Sequence, residues 1–226
     1  LAMCSAVGGS LLIAGGISGL GNLAKAAEEN QAEFIQISTD YVFDGTNYVP
    51  YRETEPTCPN SVYGVTKLAG EKKALEYCSK AMIIRTAWLY SVFGNNFVKT
   101  MIRLGKERES LGVIFDQIGT PTYARDLASA VFAAIRKGII PGIYHFSNEG
   151  VCSWYDFTKS IHRIAGIGNC KVSPLHTDEY PAKAPRPHYS VLVAVICLLR
   201  HFRYAPWLTH LPARFAWNSL PSSSHL

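Results

Sequence analysis

Three side chains in the first third of the chain, Thr39, Tyr63 and Lys67, have the types and spacing needed to deliver a proton to a carbonyl group. Tyr63 and Lys67 are four residues apart, so on a helix both side chains would leave the same face. A phenol with a pKa of about 10 is a poor acid at neutral pH, and a nearby ammonium lowers that pKa. Thr39 could share a substrate oxygen with Tyr63. Together the three residues predict general acid catalysis of carbonyl reduction.

The elements around these residues alternate between helix and strand. The predicted elements are strands at 33–38 and 81–86 and helices at 20–30, 63–78 and 96–106. This alternation is typical of parallel strands covered by helices, so the predicted fold class is α/β. Thr39 follows the first strand, and open sheets of this class bind ligands at the carboxyl ends of their strands. On the helix at 63–78, Lys67, Glu71, Lys72 and Lys73 are expected to form the polar face.

From residue 112 onward the strands become shorter. The predicted elements are strands at 113–115 and 142–146 and helices at 124–136 and 153–165, the last opened by a Ser153 cap. His145 and His162 fall within these elements. Because a single histidine in a strand or helix is more often structural than catalytic, we expect both to serve the fold.

The motifs around Thr39, Tyr63 and Lys67 resemble those of the extended short-chain dehydrogenase/reductases, and within them the dTDP-4-dehydrorhamnose reductases. The matching stretches are 38–45, 50–51, 55–56, 59–71, 85–90, 94–98 and 117–122. Their order and spacing match this family from residue 22 to residue 192. The family fold implied is a Rossmann-like parallel sheet flanked by helices, with a smaller α/β substrate-binding domain.

The resemblance implies a role for each site residue. Tyr63 would donate the proton to the C4 oxygen of a sugar, Lys67 would hold the nicotinamide ribose, and Thr39 would bind the reacting oxygen. Asp40 would contact the sugar, and Trp88 would lie against the hexose ring. The alternatives are a turn or capping role for Asp40 and a core position for Trp88.

Arg186 is expected to bind the diphosphate of a nucleotide sugar. It stands in the stretch 184–187, and a guanidinium binds phosphate oxygens in a bidentate way. The alternative is a solvated arginine on the surface. With Thr39, Asp40 and Trp88 it completes the predicted substrate-binding set.

The activity implied by the family is the NADPH-dependent reduction of dTDP-4-dehydro-6-deoxy-L-mannose to dTDP-L-rhamnose, a cytoplasmic step of polysaccharide biosynthesis. NADH remains open as the hydride donor, as do a need for Mg²⁺ and the oligomeric state. Two alternatives are a non-catalytic subunit, resembling the regulatory subunit of methionine adenosyltransferase, and an inactive gene fragment.

Compared with the family, the chain is expected to have three parts: a partial nucleotide-binding domain at 1–111, a substrate-binding domain at 112–192 and an atypical tail at 193–226. The first strands and the glycine loop of the family pattern are expected to be missing, which would weaken cofactor binding and activity. Glycines 15, 16, 19 and 21 imitate such a loop, but their spacing fits neither Gly-x-Gly-x-x-Gly nor Gly-x-x-Gly-x-x-Gly. The tail contains no Asp, Glu or Lys, which indicates a frameshifted or foreign segment.

Composition limits the partners of the chain. Three of the five net positive charges come from Arg200, Arg203 and Arg214, so the charge does not predict nucleic-acid binding. The six cysteines include no Cys-x-x-Cys pair, which argues against a zinc site and a disulfide framework. The first 21 residues are uncharged, but their six glycines dilute the hydrophobicity, and no membrane segment is predicted.

Overall fold

The structure is a computed structural model that describes residues 2–4, 11–181, 184–193 and 206–211, with side chains described from residue 19 onward. Within these residues the helices are α1 (Leu11–Glu29), α2 (Val62–Tyr77), α3 (Phe97–Glu107), α4 (Ala124–Lys137) and α5 (Trp154–Ile164). The strands are β1 (Ala2–Cys4), β2 (Phe34–Thr39), β3 (Ala81–Thr86), β4 (Leu89–Tyr90), β5 (Ser110–Ile114), β6 (Ile118–Gly119), β7 (Thr122–Tyr123), β8 (Gly142–His145), β9 (Cys152–Ser153) and β10 (Lys171–Leu175). Short 3-10 helices span Asp40–Val42, Thr177–Glu179 and Trp207–His210.

A parallel sheet with the strand order β1-β2-β3-β8 forms the centre of the fold. β2 and β3 are paired along their whole length, from Phe34 opposite Ala81 to Thr39 opposite Thr86. Both strands are buried over nearly their whole length because both faces of the sheet are covered. The register places the carboxyl ends of β2 and β3 side by side. The predicted α/β class with parallel strands is thereby confirmed.

The two faces of this sheet are covered by different helices. α1 and α2 pack on one face, where Ala24 and Ala74 meet Phe34 and Ile83. α4 covers the other face, which carries the alternate residues of the same strands. There Leu127 and Val131 of α4 pack against Ile35, Met82 and Ile84. The alternation of side chains along each strand therefore decides which helix each residue meets.

A third apolar cluster lies between α3, α5 and the parallel pair β5–β10. Phe157 and Ile161 of α5 are fully buried there beside Val98 of α3. This cluster holds the smaller part of the molecule together. The strand at 171–175, which the sequence pattern did not predict, supplies its Val172.

Two elements of the second half, β8 and α4, belong to the same part of the fold as the main sheet. β8 pairs with β3, with His145 opposite Arg85, and α4 covers one sheet face. The sequence pattern grouped both elements with 112–192 because they follow residue 112 along the chain. The pairing of β8 with β3 and the packing of α4 on the sheet correct that grouping, because a boundary drawn along the chain does not describe contacts in space. The domain boundaries themselves stay a prediction.

Side-chain caps explain why the helices begin close to the expected residues. Ser61 accepts a hydrogen bond from the backbone N–H of Gly64 at 3.1 Å and so starts α2. Asn96 accepts from Lys99 N at 3.2 Å and starts α3. Ser153 forms a capping box with Asp156, which confirms the predicted cap of α5.

Glycines 15, 16, 19 and 21 lie inside α1, which begins earlier than the helix predicted at 20–30. They are part of a helix and form no turn between a strand and a helix. Of the residues described, no helix is long and apolar enough to cross a bilayer. Four cysteines have described side chains, and all four are free thiols: Cys58, Cys78, Cys152 and Cys170.

Candidate active site

A cavity of about 1120 Å³ opens at the carboxyl ends of β2 and β3. All the site residues predicted from the sequence line it: Thr39, Asp40, Tyr63, Lys67, Trp88 and Arg186. β2 supplies the first of them at its last position, and α2 supplies Tyr63 and Lys67 on successive turns. The parallel register explains the convergence, since both strands end at the same edge of the sheet.

Gly64 allows α2 to approach the loop that follows β2. A Cβ atom at Gly64 would stand 2.1 Å from the backbone oxygen of Tyr41, so any side chain there would push the helix away. The close approach keeps Tyr63, the neighbouring residue, beside Thr39. The ring of Tyr63 also meets the ring of Tyr41 edge to face at 5.5 Å.

Lys67 is held to the sheet beneath the cavity. Its Nζ donates a hydrogen bond to the backbone oxygen of Ile37 at 2.9 Å. Lys67 therefore lies one helical turn after Tyr63 on α2. Its ammonium is fixed against Ile37, which stands two residues before Thr39 in β2. A cation in this position can hold a ribose hydroxyl or stabilise negative charge that develops on the phenol.

Burial raises the pKa of Tyr63 above its ordinary value. The Thr39 side chain lowers that pKa through a hydrogen bond, and the charge of Asp40 raises it. Burial is the largest of these effects, so the Tyr63 pKa lies above its ordinary value, whereas the sequence predicted one below it. Tyr63 is consequently protonated at neutral pH and could donate a proton.

Asp40 is almost completely buried, with 2% of its surface exposed. Its Oδ1 accepts a hydrogen bond from the Thr39 hydroxyl at 2.9 Å. Burial raises the pKa of Asp40 to about 6, although hydrogen bonds from Ser190 and Thr39 act against the shift. The short 3-10 helix that starts at Asp40 is capped by Thr39, whose hydroxyl accepts from Tyr41 N at 3.3 Å. Asp40 is thus a cavity residue and not the cap.

Trp88 has a left-handed backbone conformation, with φ of 47°, which is uncommon for a residue with a large side chain. Its backbone oxygen accepts a hydrogen bond from Thr122 N at 3.1 Å, where β4 meets β7. The indole is partly exposed and stacks on the indole of Trp154, with centroids 3.5 Å apart and planes 8° from parallel. Trp88 therefore lies at the cavity wall and not inside the core.

Arg186 enters the cavity from a loop that lies far from α2 in sequence. Arg186 is exposed. Its positive charge lowers the pKa of Tyr41, but burial is the larger effect and raises that pKa to about 12. The guanidinium is therefore close enough to the loop after β2 to act on a ligand that reaches Thr39.

A buried ion pair behind the cavity was missed from the sequence. Glu71, predicted on the polar face of α2, is 1% exposed, and its carboxylate binds Arg85 with Nη2 to Oε2 at 2.7 Å. The Ser38 hydroxyl donates to the same carboxylate. The expected position of Glu71 on the solvent side is thus wrong. Its partners come from β2 and β3, whose register the helix pattern does not reveal.

Both histidines have structural contacts. His145 is buried, and its Nδ1 lies 3.1 Å from the backbone oxygen of Tyr51. Burial, together with the charge of Arg85, lowers the pKa of His145 to about 3. His162 is buried under Gly105, with Nε2 2.9 Å from the backbone oxygen of Met101. Neither side chain lines the cavity.

Comparison with known proteins decides the family. The model of the RmlD substrate-binding domain matches residues 16–217. The chain belongs to this family. The match also includes most of the tail at 193–226, so the family model extends across the segment that composition set apart.

Members of the RmlD family resemble the chain in sequence and in structure. A dTDP-4-dehydrorhamnose reductase of Escherichia coli is 48% identical over 179 residues, which cover 75% of this chain and 60% of the relative. The crystal structure of a dTDP-4-dehydrorhamnose reductase from Clostridium acetobutylicum has a TM-score of 0.84 and 45% identity, covering 89% of this chain and 71% of that one. A Bacillus anthracis dTDP-4-dehydrorhamnose reductase in complex with NADP has a TM-score of 0.82 and 42% identity, with the same coverage. The chain thus spans about three fifths of the length of the curated relative.

Metal binding was left open by the sequence. Among the side chains that the structure describes, no group of three or more His, Cys, Asp or Glu could hold a metal ion.

Proposed function

We propose that this RmlD-family chain acts in the NADPH-dependent reduction of dTDP-4-dehydro-6-deoxy-L-mannose to dTDP-L-rhamnose, a cytoplasmic step in the biosynthesis of cell-surface polysaccharide. The observation that carries the proposal is the convergence of Thr39, Tyr63 and Lys67 on one cavity. The similar proteins from Escherichia coli and Clostridium acetobutylicum are dTDP-4-dehydrorhamnose reductases, which agrees with this substrate.

The cavity supports a simple division of work in the reduction. Thr39 and Tyr63 bind the C4 carbonyl oxygen, and Tyr63 gives it the phenolic proton. Lys67 then stabilises the phenolate until a solvent proton restores it. NADPH, when bound, supplies the hydride, which no side chain can provide. A Tyr63 pKa above its ordinary value keeps the acid loaded before substrate binds.

The residues present fit one end of the cofactor. Tyr63 and Lys67 line the same cavity as Thr39, so a nicotinamide ribose held by Lys67 would lie beside the carbonyl. The four glycines of α1 do not form a phosphate-binding turn, because they lie within a helix. The NADP complex of the Bacillus anthracis relative supports NADPH over NADH as the donor.

The remaining predicted residues would hold the nucleotide sugar. Asp40 would contact the sugar, Trp88 would present its indole to the hexose, and Arg186 would bind the diphosphate in a bidentate way. All three line the cavity that contains Tyr63. The exposure of Arg186 suits a group that a charged ligand meets first.

Turnover by the purified chain tests the proposal directly. NADPH oxidation would be followed with dTDP-4-dehydro-6-deoxy-L-mannose as substrate, and the product would be identified by mass spectrometry. Tyr63→Phe should lower kcat at least about 100-fold, since it removes the general acid. The matched control is Tyr48→Phe, at a tyrosine that is 88% exposed and does not line the cavity. Saturable binding of the sugar nucleotide without turnover would favour the non-catalytic binding subunit instead.

A further inference from the structure

We propose that Trp154 is a further residue of the substrate site: its indole positions Trp88, and the two stacked rings form the cavity wall against which the sugar ring packs. The inference rests on the proposed function and names a specificity determinant of the same site. Trp154 lies 66 residues after Trp88, at the first position of α5. Nothing in its local sequence pattern marks it as a binding residue.

The geometry of the two indoles carries the proposal. Their centroids are 3.5 Å apart and their planes differ by 8°, so each ring covers one face of the other. Both residues are partly exposed, and both line the cavity that holds Tyr63. A pair buried only for stability would be expected to lie inside the core. Here the stacked pair is shared between the core and the cavity.

The Trp88 indole is held in place by contacts to its ring. Trp88 follows the end of β3 in a left-handed conformation, which large residues rarely adopt. One hydrogen bond, from Thr122 N to the Trp88 oxygen, fixes the backbone but not the side chain. Stacking on Trp154 and contact with Gly119 restrain the indole itself: a Cβ at Gly119 would stand 2.6 Å from Trp88 Cε2.

Trp154 is in turn anchored in the smaller part of the molecule. The capping box between Ser153 and Asp156 fixes the first turn of α5. The ring of Phe97, at the start of α3, lies 4.4 Å from the Trp154 ring. Trp154 therefore connects the α3–α5 cluster to the Trp88 indole at the cavity wall.

The chemistry of the pair suits a hexose. The C–H face of a sugar ring is apolar and packs on flat aromatic surfaces, which keep their shape at little entropic cost. A fixed indole binds such a ring better than a mobile one, because less freedom is lost on binding. The predicted effect of Trp154 thus concerns the sugar and leaves the nucleotide diphosphate unaffected.

Calorimetric titration with two probes, dTDP-L-rhamnose and dTDP, separates these parts of the ligand. Trp154→Ala should weaken binding of dTDP-L-rhamnose about five- to tenfold, the size of a lost aromatic contact, with dTDP affinity unchanged. Trp154→Phe should retain most of the affinity because it keeps an aromatic ring. Gly119→Ala, which displaces the Trp88 indole but leaves Trp154 in place, should show the same selective loss. Phe132→Ala, at a residue 62% exposed on α4, is the control.

The outcomes distinguish failure of the role of Trp154 from failure of the proposed function. Unchanged dTDP-L-rhamnose affinity in Trp154→Ala, or equal losses for both probes, overturns the role of Trp154 while the proposed function stands. If the wild-type chain binds dTDP but gains nothing from the rhamnosyl group, the proposed sugar substrate fails, and the inference fails with it. If the alanine variant does not fold, Gly119→Ala keeps the test decisive: a selective loss of dTDP-L-rhamnose affinity supports the stacked wall, and unchanged affinity overturns it.

Discussion

At the scale of single residues, the site contains groups whose pKa values differ from those that the sequence spacing suggests. The sequence predicts which residues meet, because Tyr63 and Lys67 share a helix face and Thr39 ends a strand. It does not predict how deeply each is buried, and burial controls the pKa of both Tyr63 and Asp40. Residue types and spacing therefore predicted the membership of the site, while its protonation states needed the packed structure.

The two neighbours of Tyr63 should move its pKa in opposite directions. Thr39→Val removes the hydrogen bond that lowers the Tyr63 pKa, so the pKa should rise further. Asp40→Asn removes the negative charge that raises it, so the pKa should fall. Phenolate absorbance during alkaline titration, taken as the difference from Tyr63→Phe in each background, measures both shifts. A lower Tyr63 pKa in Thr39→Val would contradict the arrangement.

Burial of Asp40 should also make stability depend on pH. Its folded pKa of about 6 lies above the ordinary aspartate value of 3.8, so the folded state favours the protonated carboxyl. The stabilisation from this proton is complete below the unfolded pKa and is lost as pH rises through 6. Asp40→Asn should therefore gain stability relative to wild type at pH 8, by at most about 3 kcal/mol, and the gain should vanish below about pH 3. Urea unfolding at both pH values checks it; a constant difference would be evidence against a buried carboxylate.

At the scale of elements, α2 is attached to the sheet through both apolar and ionic contacts. The strands on either side of α2 were readable from the sequence, and the bounds of α2 differ from the expected ones by a single residue at each end. The orientation of Glu71 was not readable, because it depends on Ser38 and Arg85 standing opposite it on β2 and β3. The buried pair joins the helix of Tyr63 to the strands that end at Thr39 and Thr86.

Breaking the ion pair on one side should be costly. Glu71→Leu leaves the guanidinium of Arg85 buried without its carboxylate, and we expect a loss of about 3–5 kcal/mol in the free energy of unfolding. Glu71→Leu with Arg85→Met should recover part of that loss, since no buried charge remains. Lys72→Ala, at the exposed neighbour, is the control and should change stability little. Urea unfolding followed by circular dichroism measures all three. A single variant as stable as wild type would mean that the pair is open to water.

At the scale of the whole molecule, the cavity lies where two differently built parts meet. Thr39, Tyr63 and Lys67 come from the main sheet and α2, whereas Trp154 comes from the α3–α5 cluster. Alternating helices and strands were enough to predict the first part. The second part depends on two-residue strands such as β6 and β9, whose patterns are too short to detect in a sequence. This difference explains why Tyr63 was predicted and Trp154 was missed.

The segment 206–211 belongs to the α3–α5 cluster, although composition set its surroundings apart. Trp207 is 7% exposed, its backbone N–H donates to Glu149 O at 3.1 Å, and its backbone oxygen accepts from the Tyr90 hydroxyl at 2.9 Å. The ring of Phe157 meets the Trp207 indole at 5.1 Å. Amino-acid composition cannot reveal such contacts, because they depend on where the chain returns in space.

Removing the Trp207 indole should therefore destabilise the protein as a core substitution does. Trp207→Ala is expected to lower the free energy of unfolding by about 3–5 kcal/mol, the cost of deleting a buried aromatic side chain and leaving a cavity. Leu208→Ala, at the next residue, which is 37% exposed, should cost less than about 1 kcal/mol. Both values come from urea unfolding followed by far-ultraviolet circular dichroism. Equal stability of the two variants would show that 206–211 does not pack on the cluster in solution, and a larger loss for Trp207→Ala would establish this segment as part of the fold.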